Sequence, residues 1–511
     1  MTPVQSVLKS YRLSTLLAAL AHPPAPVTDA ARSTDASVCR VCCDSREADA
    51  TALFVCIRGS QSDGHDYIPA AYAAGCRAFL VQHPTSISLP SDAAVFVSDN
   101  TRRDLALLVA EMYGHPSHDL QVVGITGTKG KTTVALMCHH ILKKQGVSSG
   151  YIGTCGISYG DVERPTRNTT PDALELQATL SDMQNSSVRV VLLEVSSQAL
   201  WQHRVDGVSF AACALTNLYP DHVGTSEHPD LAHYAACKRR LFTEFAPPVI
   251  VANADDEAAE ALLEGILTPM RFCGRDKRAC LTAEDYRIDT QSGVPGARFT
   301  CLDRQSGERM PVSLPFPGEY NVQNALLALE IVRSLGVSLK DAAAALADVR
   351  IPGRFEMMPY GGALVVIDYA HNAAALRAAL TALRPLARGR LICLFGSVGD
   401  RTQCRRAAMG EVADALSDYV YLTADDPGHE PVEDICRDIA AAFSPTQAPR
   451  YTVIPDRAEA IRTALCDLKE GDVLLLAGKG DERVQRIGDQ QIAHRDRDVV
   501  EQYFHARSLR I

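Results

Sequence analysis

The chain has no uninterrupted apolar run of the roughly eighteen residues that a membrane-spanning helix needs. Its one early apolar patch, Leu16–Ala21, is too brief for a span and is soon followed by Pro23-Pro24. An excess of positive charge is also lacking: 51 Lys and Arg stand against 61 Asp and Glu, a net charge of −10. Nucleic acid is therefore not an expected partner, and any anionic substrate must be held by local positive groups. The sixteen cysteines are scattered without the paired CxxC spacing of a zinc site. In a chain this long they need not be staples, and they read as reduced core residues. Nor do the glycine turns of the last third make a dinucleotide fingerprint. The expectation is a soluble, cytoplasmic protein with no membrane partner, acting as a monomer and divided, at 511 residues, into about three domains.

What is present centres on residues 120–133, Leu120-Gln-Val-Val-Gly124-Ile-Thr126-Gly127-Thr128-Lys129-Gly130-Lys131-Thr132-Thr133. An apolar strand breaks at glycines spaced every third residue, and a helical pattern of Val134, Met137 and Ile141 follows. A loop of this kind turns backbone N–H groups into one concavity ahead of a positive helix end, so polyphosphate sits there. Gly127, Thr128, Lys129, Gly130 and Thr133 would form the cradle. Lys131 would reach the terminal phosphates of ATP, and the Thr132 hydroxyl would ligate Mg²⁺. The strict pattern asks for glycine where Ile125 stands; an ordinary glycine turn is the bland alternative.

Later strands share one design, an apolar run ending in polar residues. Val188–Leu193 leads to Glu194-Val-Ser196-Ser197-Gln198, Ala211–Leu215 to Thr216-Asn217 and then Asp221-His222, and Val249–Ala252 to Asn253-Ala-Asp255-Asp256. After Ile351-Pro-Gly-Arg354, which suits a hinge, four more strands end in Asp368-Tyr-Ala-His371, Gly396-Ser-Val-Gly399-Asp400-Arg401, Asp425-Asp426-Pro427 and Gly478-Lys-Gly480-Asp-Glu482. Continuous apolar strands alternating with helices predict α/β domains with doubly wound, mainly parallel sheets. Ligands then gather at the carboxyl ends of the strands. The expected domains are a smaller N-terminal α/β unit over 1–117, a central phosphate-loop ATPase over 118–350 and a Rossmann-like C-terminal unit over 351–511. Glu194 is the expected second magnesium contact. Lys238, in the helical stretch Tyr234–Phe242, reads by pattern alone as a solvated lysine.

Taken together and in this order, Thr126-Gly-Thr-Lys-Gly-Lys-Thr132, Glu194-Val-Ser-Ser, Asn217 with Asp221-His222, Asn321-Val-Gln-Asn324, Pro352-Gly-Arg354, Asp368-Tyr-Ala-His371 and Gly478-Lys-Gly resemble the Mur ligases. The match runs from Asp44-Ser45-Arg46 to about residue 500. Within the family it is similar to the branch that adds a diamino acid to UDP-MurNAc-L-Ala-D-Glu in peptidoglycan synthesis. The resemblance implies that ATP phosphorylates the D-glutamate γ-carboxylate and that an amine attacks the acyl phosphate. It implies Lys131, Glu194, His222 and Lys238 as catalytic residues. Thr132, Glu194, His222 and Lys238 are implied as metal ligands, Lys238 being carbamylated. Asn321 and Asn324 match the adenine side, and Arg354, Asp368 and His371 match phosphate and ribose contacts. Ser45 matches the uridine contact, and Asn168, Thr169, Thr170, Ser196 and Arg204 match the peptide end. Arg401, Asp425, Asp426, Gly478 and Glu482 match the pocket of the incoming amino acid.

The chain departs from the family where Lys129 replaces the usual Asn, where Gln198 replaces His, and over Asp221–His228. Three competitors are a folylpolyglutamate-synthetase-like ligase, which would lack the N-terminal unit, a phosphate-loop switch with no amine pocket, and a catalytically silent homologue. The implied amino acid turns on one tip. Diaminopimelate-adding relatives carry Asp-Asn-Pro-Arg, whose arginine grips the second carboxylate, whereas this chain has Asp425-Asp426-Pro427-Gly428. A distal carboxylate would then meet Asp426 with no compensating cation unless His429 folds in. L-Lysine is the expected substrate, with L-ornithine next and meso-diaminopimelate the alternative.

Overall fold

Apolar runs become strands wherever both faces can be covered. In the N-terminal part, Arg40–Cys42, Ala52–Val55, Ala78–Val81 and Ala94–Val97 pair in parallel in that order. Successive residues on a strand point to opposite faces. Leu53, Val55 and Leu80 thus enter one core with Leu13, Leu16, Leu17 and Leu108. Phe54, Cys56, Phe79 and Val81 enter another with Ile68 and Ala71. The early apolar patch falls largely on the helix Leu13–Ala18, which buries three leucines in the first of these cores. The turn Gly64–Tyr67 feeds the helix Ile68–Ala73, and Gly75, at φ +106°, follows its end.

The computed structural model describes residues 10–33, 35–59, 62–83, 90–220, 224, 227–290, 294–400, 403–444 and 450–508. The chain forms two compact units, one of residues 1–135, 146–252 and 256–271, the other of 136–145, 253–255 and 272–511. Among the described residues no helix is long and apolar enough to cross a membrane.

In the first unit a second sheet runs in the order Val162–Arg164, Gly156–Tyr159, Ser149–Gly153, Val190–Glu194, Gln121–Thr126, Phe210–Leu215, Ile250–Asn253. The last five are parallel, and the first two add as antiparallel edge strands. The strand feeding the phosphate loop is therefore flanked by the strands ending at Glu194 and at Leu215. Three of the expected polar ends meet at one edge.

In the second unit, Leu281–Asp289, Gly296–Asp303 and Arg309–Leu314 form an antiparallel trio. It departs from the expected wound pattern because charged residues such as Glu284, Arg298 and Arg309 interleave with the apolar ones, so one face stays wet. The C-terminal sheet runs Glu356–Tyr360, Ala363–Asp368, Val473–Ala477, Leu391–Phe395, Tyr419–Leu422, Tyr451–Val453, all parallel except the first. Val365, Ile367, Ile392, Leu394, Leu474 and Leu476 bury one face. The stretch Ile351–Arg354, expected as a hinge, is a packed turn. Gly353 has φ +61°, and a Cβ there would overlap the backbone of Gly480 and Asp481.

Behind this sheet Arg457 and Asp496 form a fully buried ion pair, Nε to Oδ1 2.8 Å and Nη2 to Oδ2 2.6 Å. Arg457 also donates to the carbonyls of Ala424 (3.3 Å) and Ala477 (2.9 Å), the residues preceding Asp425 and Gly478. Burial alone would raise the Asp496 carboxyl, but Arg457 and His494 outweigh it and hold it far below the usual carboxylate range. Removing one partner strands the other in low dielectric. Asp496→Ala is therefore expected to lower unfolding free energy by roughly 3–5 kcal/mol in urea titrations. A loss under about 1 kcal/mol, the value of a surface pair, would show that the pair is not a keystone.

Candidate active site

The phosphate loop is held by the neighbouring strand rather than by its own glycines alone. Asn217 accepts from Lys129 N through Oδ1 (2.8 Å), donates through Nδ2 to Lys129 O (3.1 Å), and its carbonyl accepts from Thr128 N (3.0 Å). Thr216 Oγ1 donates to Lys129 O at 2.5 Å. Thr128 Oγ1 accepts from Tyr219 N and from the buried Tyr234 hydroxyl. Gly127, at φ +141°, has no room for a side chain, since a Cβ would overlap Thr216 Oγ1. Gly130 takes φ +86° and hands the chain to the helix Lys131–Lys144. Thr132 and Thr133 are buried in its first turn.

Two lysines converge on one carbonyl. Lys131 Nζ donates to Gly127 O (2.8 Å) and Thr128 O (3.1 Å), and Lys238 Nζ donates to Gly127 O at 2.9 Å. Lys238 is 1% exposed, so the solvated-lysine reading is overturned. Its helix, Leu231–Thr243, turns that face inward with Tyr234, Cys237 and Leu241.

Glu194, fully buried, closes the strand beside the loop. Its Oε2 accepts from Thr132 Oγ1 at 2.9 Å and Thr154 Oγ1 at 3.2 Å, and its Oε1 from the Tyr151 hydroxyl at 2.5 Å and Thr154 N at 3.0 Å. Burial, reinforced by the Glu194 charge, holds the Tyr151 phenol well above its usual value, so it stays a donor. A buried carboxylate and a threonine hydroxyl on one phosphate loop are the oxygen donors a hard cation requires.

The expected peptide-end residues fall in two groups. Thr170, buried, donates to Glu194 O (2.8 Å) and accepts from Ser196 N (3.0 Å), and Arg204 Nη1 reaches Thr170 O at 2.9 Å. Thr169 meets Thr154 at 3.1 Å. Ser196 caps the short helix Ser197–Trp201. Asn168 is exposed, and Ser45 sits on a separate turn after Arg40–Cys42, where Asp44 braces Arg46. His222 and Arg401 lie outside the described residues. Asp255 and Asp256 are turn braces rather than site groups: Asp256 caps Ala258 and Ala259 and accepts from Leu218 N, and Asp255 accepts from Arg275 N.

In the second unit the nucleotide-side and amino-acid-side residues are described together. Asn321 and Asn324 are buried on the helix Glu319–Ser334, and Asn321 donates to Pro317 O. Arg354 lies 4.2 Å from the Tyr369 ring centroid, Asp368 accepts from Phe355 N (2.9 Å), and His371 contacts the Tyr369 carbonyl. Gly478, at φ +106°, donates to Asp368 O, and a Cβ there would press on Asp425.

The acidic tip corrects an expectation. Lys479, fully buried, lies 2.7 Å from Asp426, 2.6 Å from Glu482 and 3.9 Å from Asp425, so Asp426 is not without a compensating cation. Burial presses the Lys479 ammonium down, but Glu482, Asp425 and Asp426 more than offset it and keep it charged. Asp425 is pushed up to about 6 by burial, against the pull of Lys479 and Arg457. His429 does not fold in: its side chain is 65% exposed and faces Asp489.

Three family models match the chain: the Mur ligase family catalytic domain over 38–113, the Mur ligase middle domain over 125–332 and the Mur ligase glutamate ligase domain over 353–480. The UDP-N-acetylmuramoyl-L-alanyl-D-glutamate--2,6-diaminopimelate ligase of Geobacillus kaustophilus is 37% identical over 466 residues, covering 89% of this chain and 93% of that protein. The chain belongs to the Mur ligase family. The enzyme of the same name from Alkalilimnicola ehrlichii is 37% identical over 507 residues, 96% of this Mur ligase and 98% of that protein. A solved structure of a UDP-N-acetylmuramoyl-L-alanyl-D-glutamate--2,6-diaminopimelate ligase superimposes with a TM-score of 0.68 at 25% identity, covering 98% of this chain and 100% of that one. The three-domain Mur ligase fold and the identity of the chain as a ligase follow. The match over 38–113 answers the folylpolyglutamate-synthetase reading, which lacked such a unit.

Sequence reasoning quoted Asn217 and Gly478-Lys-Gly480 without assigning the clamp or the lysine. Tyr151 and Thr154 carried no signal at all, since a strand tyrosine reads as core. The raised Asp425 gives a pH test. Its folded pKa of about 6 exceeds the ordinary ~4, so its protonated form stabilises the fold below about pH 4 and that stability is lost as pH rises through 6. Asp425→Asn should therefore gain on wild type by roughly 2–3 kcal/mol between pH 4 and 7 in thermal or urea unfolding. A constant difference across that range would show that Asp425 ionises normally.

Proposed function

We propose that this Mur ligase joins a diamino acid to the D-glutamate γ-carboxylate of UDP-MurNAc-L-Ala-D-Glu at the expense of ATP, a step of peptidoglycan synthesis. The observation that carries the reading is the buried Glu194 carboxylate on the Thr132 hydroxyl at the head of the phosphate loop, with Lys131 and Lys238 on the same loop carbonyl. A carboxylate is a poor electrophile. Transfer of the γ-phosphoryl group to it gives an acyl phosphate, and attack by the amine forms the amide and expels phosphate. Little covalent work falls to the protein, so positioning and charge dominate. Lys131 neutralises the transferring phosphoryl group, and the Gly127–Gly130 amides cradle the nucleotide phosphates. Asn321, Asn324, Arg354, Asp368 and His371 serve the nucleotide. Ser45, Asn168, Thr169, Thr170, Ser196 and Arg204 serve the UDP-peptide.

Thr132 and Glu194 fit Mg²⁺ by donor chemistry, and His222 and Lys238 complete the proposed set. Bound there, the cation offsets the negative charge of phosphate and carboxylate. For Lys238 to join, its neutral amine adds CO₂ and loses a proton, giving a carbamate whose oxygens bind metal where an ammonium cannot. The domain boundaries near 117 and 350 are supported by family matches that fall inside each segment. All the groups named come from one chain, so a monomer suffices, and the nucleotide-linked substrates suit a cytoplasmic enzyme.

For the amino acid, the relatives' names support meso-2,6-diaminopimelate over L-lysine. One local feature fits: exposed Arg486 lies on the strand Val484–Ile487, whose backbone at Arg486 donates to Asp426 Oδ1 and accepts from Gly428 N. It places Arg486 beside Gly428, where the family's arginine is missing. A second reading, L-lysine or L-ornithine, rests on Gly428 itself and on three carboxylates facing one buried ammonium.

Lys131→Ala should abolish amino-acid-dependent ADP release with the fold intact, and near-normal turnover would overturn the ATPase assignment. Lys238→Ala should lose most activity and regain part of it with short carboxylic acids. Wild-type turnover in that variant would return Lys238 to a structural role. Across meso-diaminopimelate, L-lysine and L-ornithine, kcat/KM should be highest for the first and fall about tenfold or more in Arg486→Ala, the loss of one charged hydrogen-bonded pair. A preference for lysine or ornithine, unchanged in that variant, would establish the second reading.

A further inference from the structure

Beside Lys238, and outside every role assigned so far, three side chains of soft or borderline donor type face one another. His228 Nδ1 lies 2.9 Å from His233 Nδ1, and Cys237 Sγ lies 3.8 and 3.9 Å from the two ring nitrogens of His233. One ligand atom from each falls within 4.8 Å of the others. His233 and Cys237 are four apart on the helix Leu231–Thr243 and so share a face. His228 is 1% exposed, and its other nitrogen, Nε2, meets Ser197 Oγ at 2.9 Å.

That last contact orients the ring. A histidine that ligates metal through one nitrogen characteristically donates the other N–H to a fixed oxygen, which sets the tautomer. In the tautomer that donates Nε2–H to Ser197 Oγ, His228 Nδ1 presents a lone pair toward His233. At 2.9 Å the two Nδ1 atoms either join through one proton, as an N–H···N hydrogen bond, or both turn their lone pairs to a metal ion. Tetrahedral zinc, with bonds of about 2.0–2.1 Å to nitrogen and 2.3 Å to sulfur, separates its ligand atoms by roughly 3.3–3.6 Å. The His228–His233 pair at 2.9 Å and the His233–Cys237 pair at 3.8 Å stand within a few tenths of an ångström of that spacing, and all three ligand atoms lie within 4.8 Å of one another. The donor set excludes Mg²⁺, which demands oxygen, and suits a thiophilic divalent ion.

We propose that His228, His233 and Cys237 form a second, transition-metal site of the zinc class, distinct from the proposed magnesium ligands Thr132, Glu194, His222 and Lys238. The metal replaces the thiol proton of Cys237, which is released to solvent. It ties three segments around the phosphate-loop lysine: the residue before Lys238, the His228 segment, and the helix opened by Ser197, next to Ser196. The proposal does not depend on which amino acid the enzyme adds or on whether it turns over.

The chain supplies its own reporter, because its only tryptophan, Trp201, has its ring centroid 6.0 Å from that of His228 and 5.6 Å from that of His233. Chelator-treated, reduced full-length protein is titrated with Co²⁺ and then Zn²⁺, in the absence of ATP and magnesium. One equivalent of Co²⁺ should produce a thiolate-to-cobalt charge-transfer absorption and quench Trp201, and Zn²⁺ should displace it one for one. Cys237→Ser should remove the absorption while leaving the helical circular dichroism unchanged. His233→Ala and the outer contact Ser197→Ala should each weaken Co²⁺ binding by about 10–100-fold. A charge-transfer band undiminished in Cys237→Ser, or Co²⁺ binding that leaves Trp201 unquenched, would overturn the site and leave the two histidines sharing a proton.

Discussion

The buried carboxylate of Glu194 is the constraint around which the ATPase half is built. A charge with no exposure must have every lone pair met, or it costs several kcal/mol. Tyr151, Thr154 and Thr132 meet them, and the backbone of Glu194 in turn holds Thr170. Gly153 is glycine because a Cβ there would run into the carboxylate and the Tyr151 hydroxyl. The strand Ser149–Gly153, the phosphate-loop helix and Thr170 are thus fixed to one another through one residue. Such a network supplies the preorganised charge on which phosphoryl transfer depends.

The amino-acid end uses a related device with the signs reversed. Lys479, without exposure, is the cation among three carboxylates, and Arg457 behind it donates to the carbonyls that precede two of the tips. Asp496, buried with it, keeps Arg457 in place. The positions of Asp425 and Gly478 are therefore decided two layers below the surface they present.

The strand-and-tip pattern, the phosphate loop and the order of the motifs were legible in the sequence because each rests on local chemistry. The apolar runs Ala211–Leu215 and Val249–Ala252 become the strands Phe210–Leu215 and Ile250–Asn253, within one residue of their expected bounds, since polar residues end them. The antiparallel trio at 281–314 was missed because it has no continuous apolar run: polar and apolar residues alternate in it, as in Arg309-Met-Pro-Val-Ser-Leu314, where burial alternates with exposure. The phosphate-loop glycines were read as a cradle, yet the clamp that holds them is Asn217, about ninety residues away in the chain.

What the sequence determined by itself is the α/β class, the ligase family and the glycine loop that opens the helix Lys131–Lys144. These depend on residue type and spacing along a few turns of chain. What only the tertiary structure decided is the state of particular side chains. Lys238 reads as solvated by helical pattern and is buried against Gly127, and Asp426 reads as uncompensated and is paired with Lys479. His228 meets His233 and Ser197, and Cys237 lies against His233, contacts that no motif along the chain announces. Burial and pairing are set by which distant strands and helices pack together, and no local pattern encodes that.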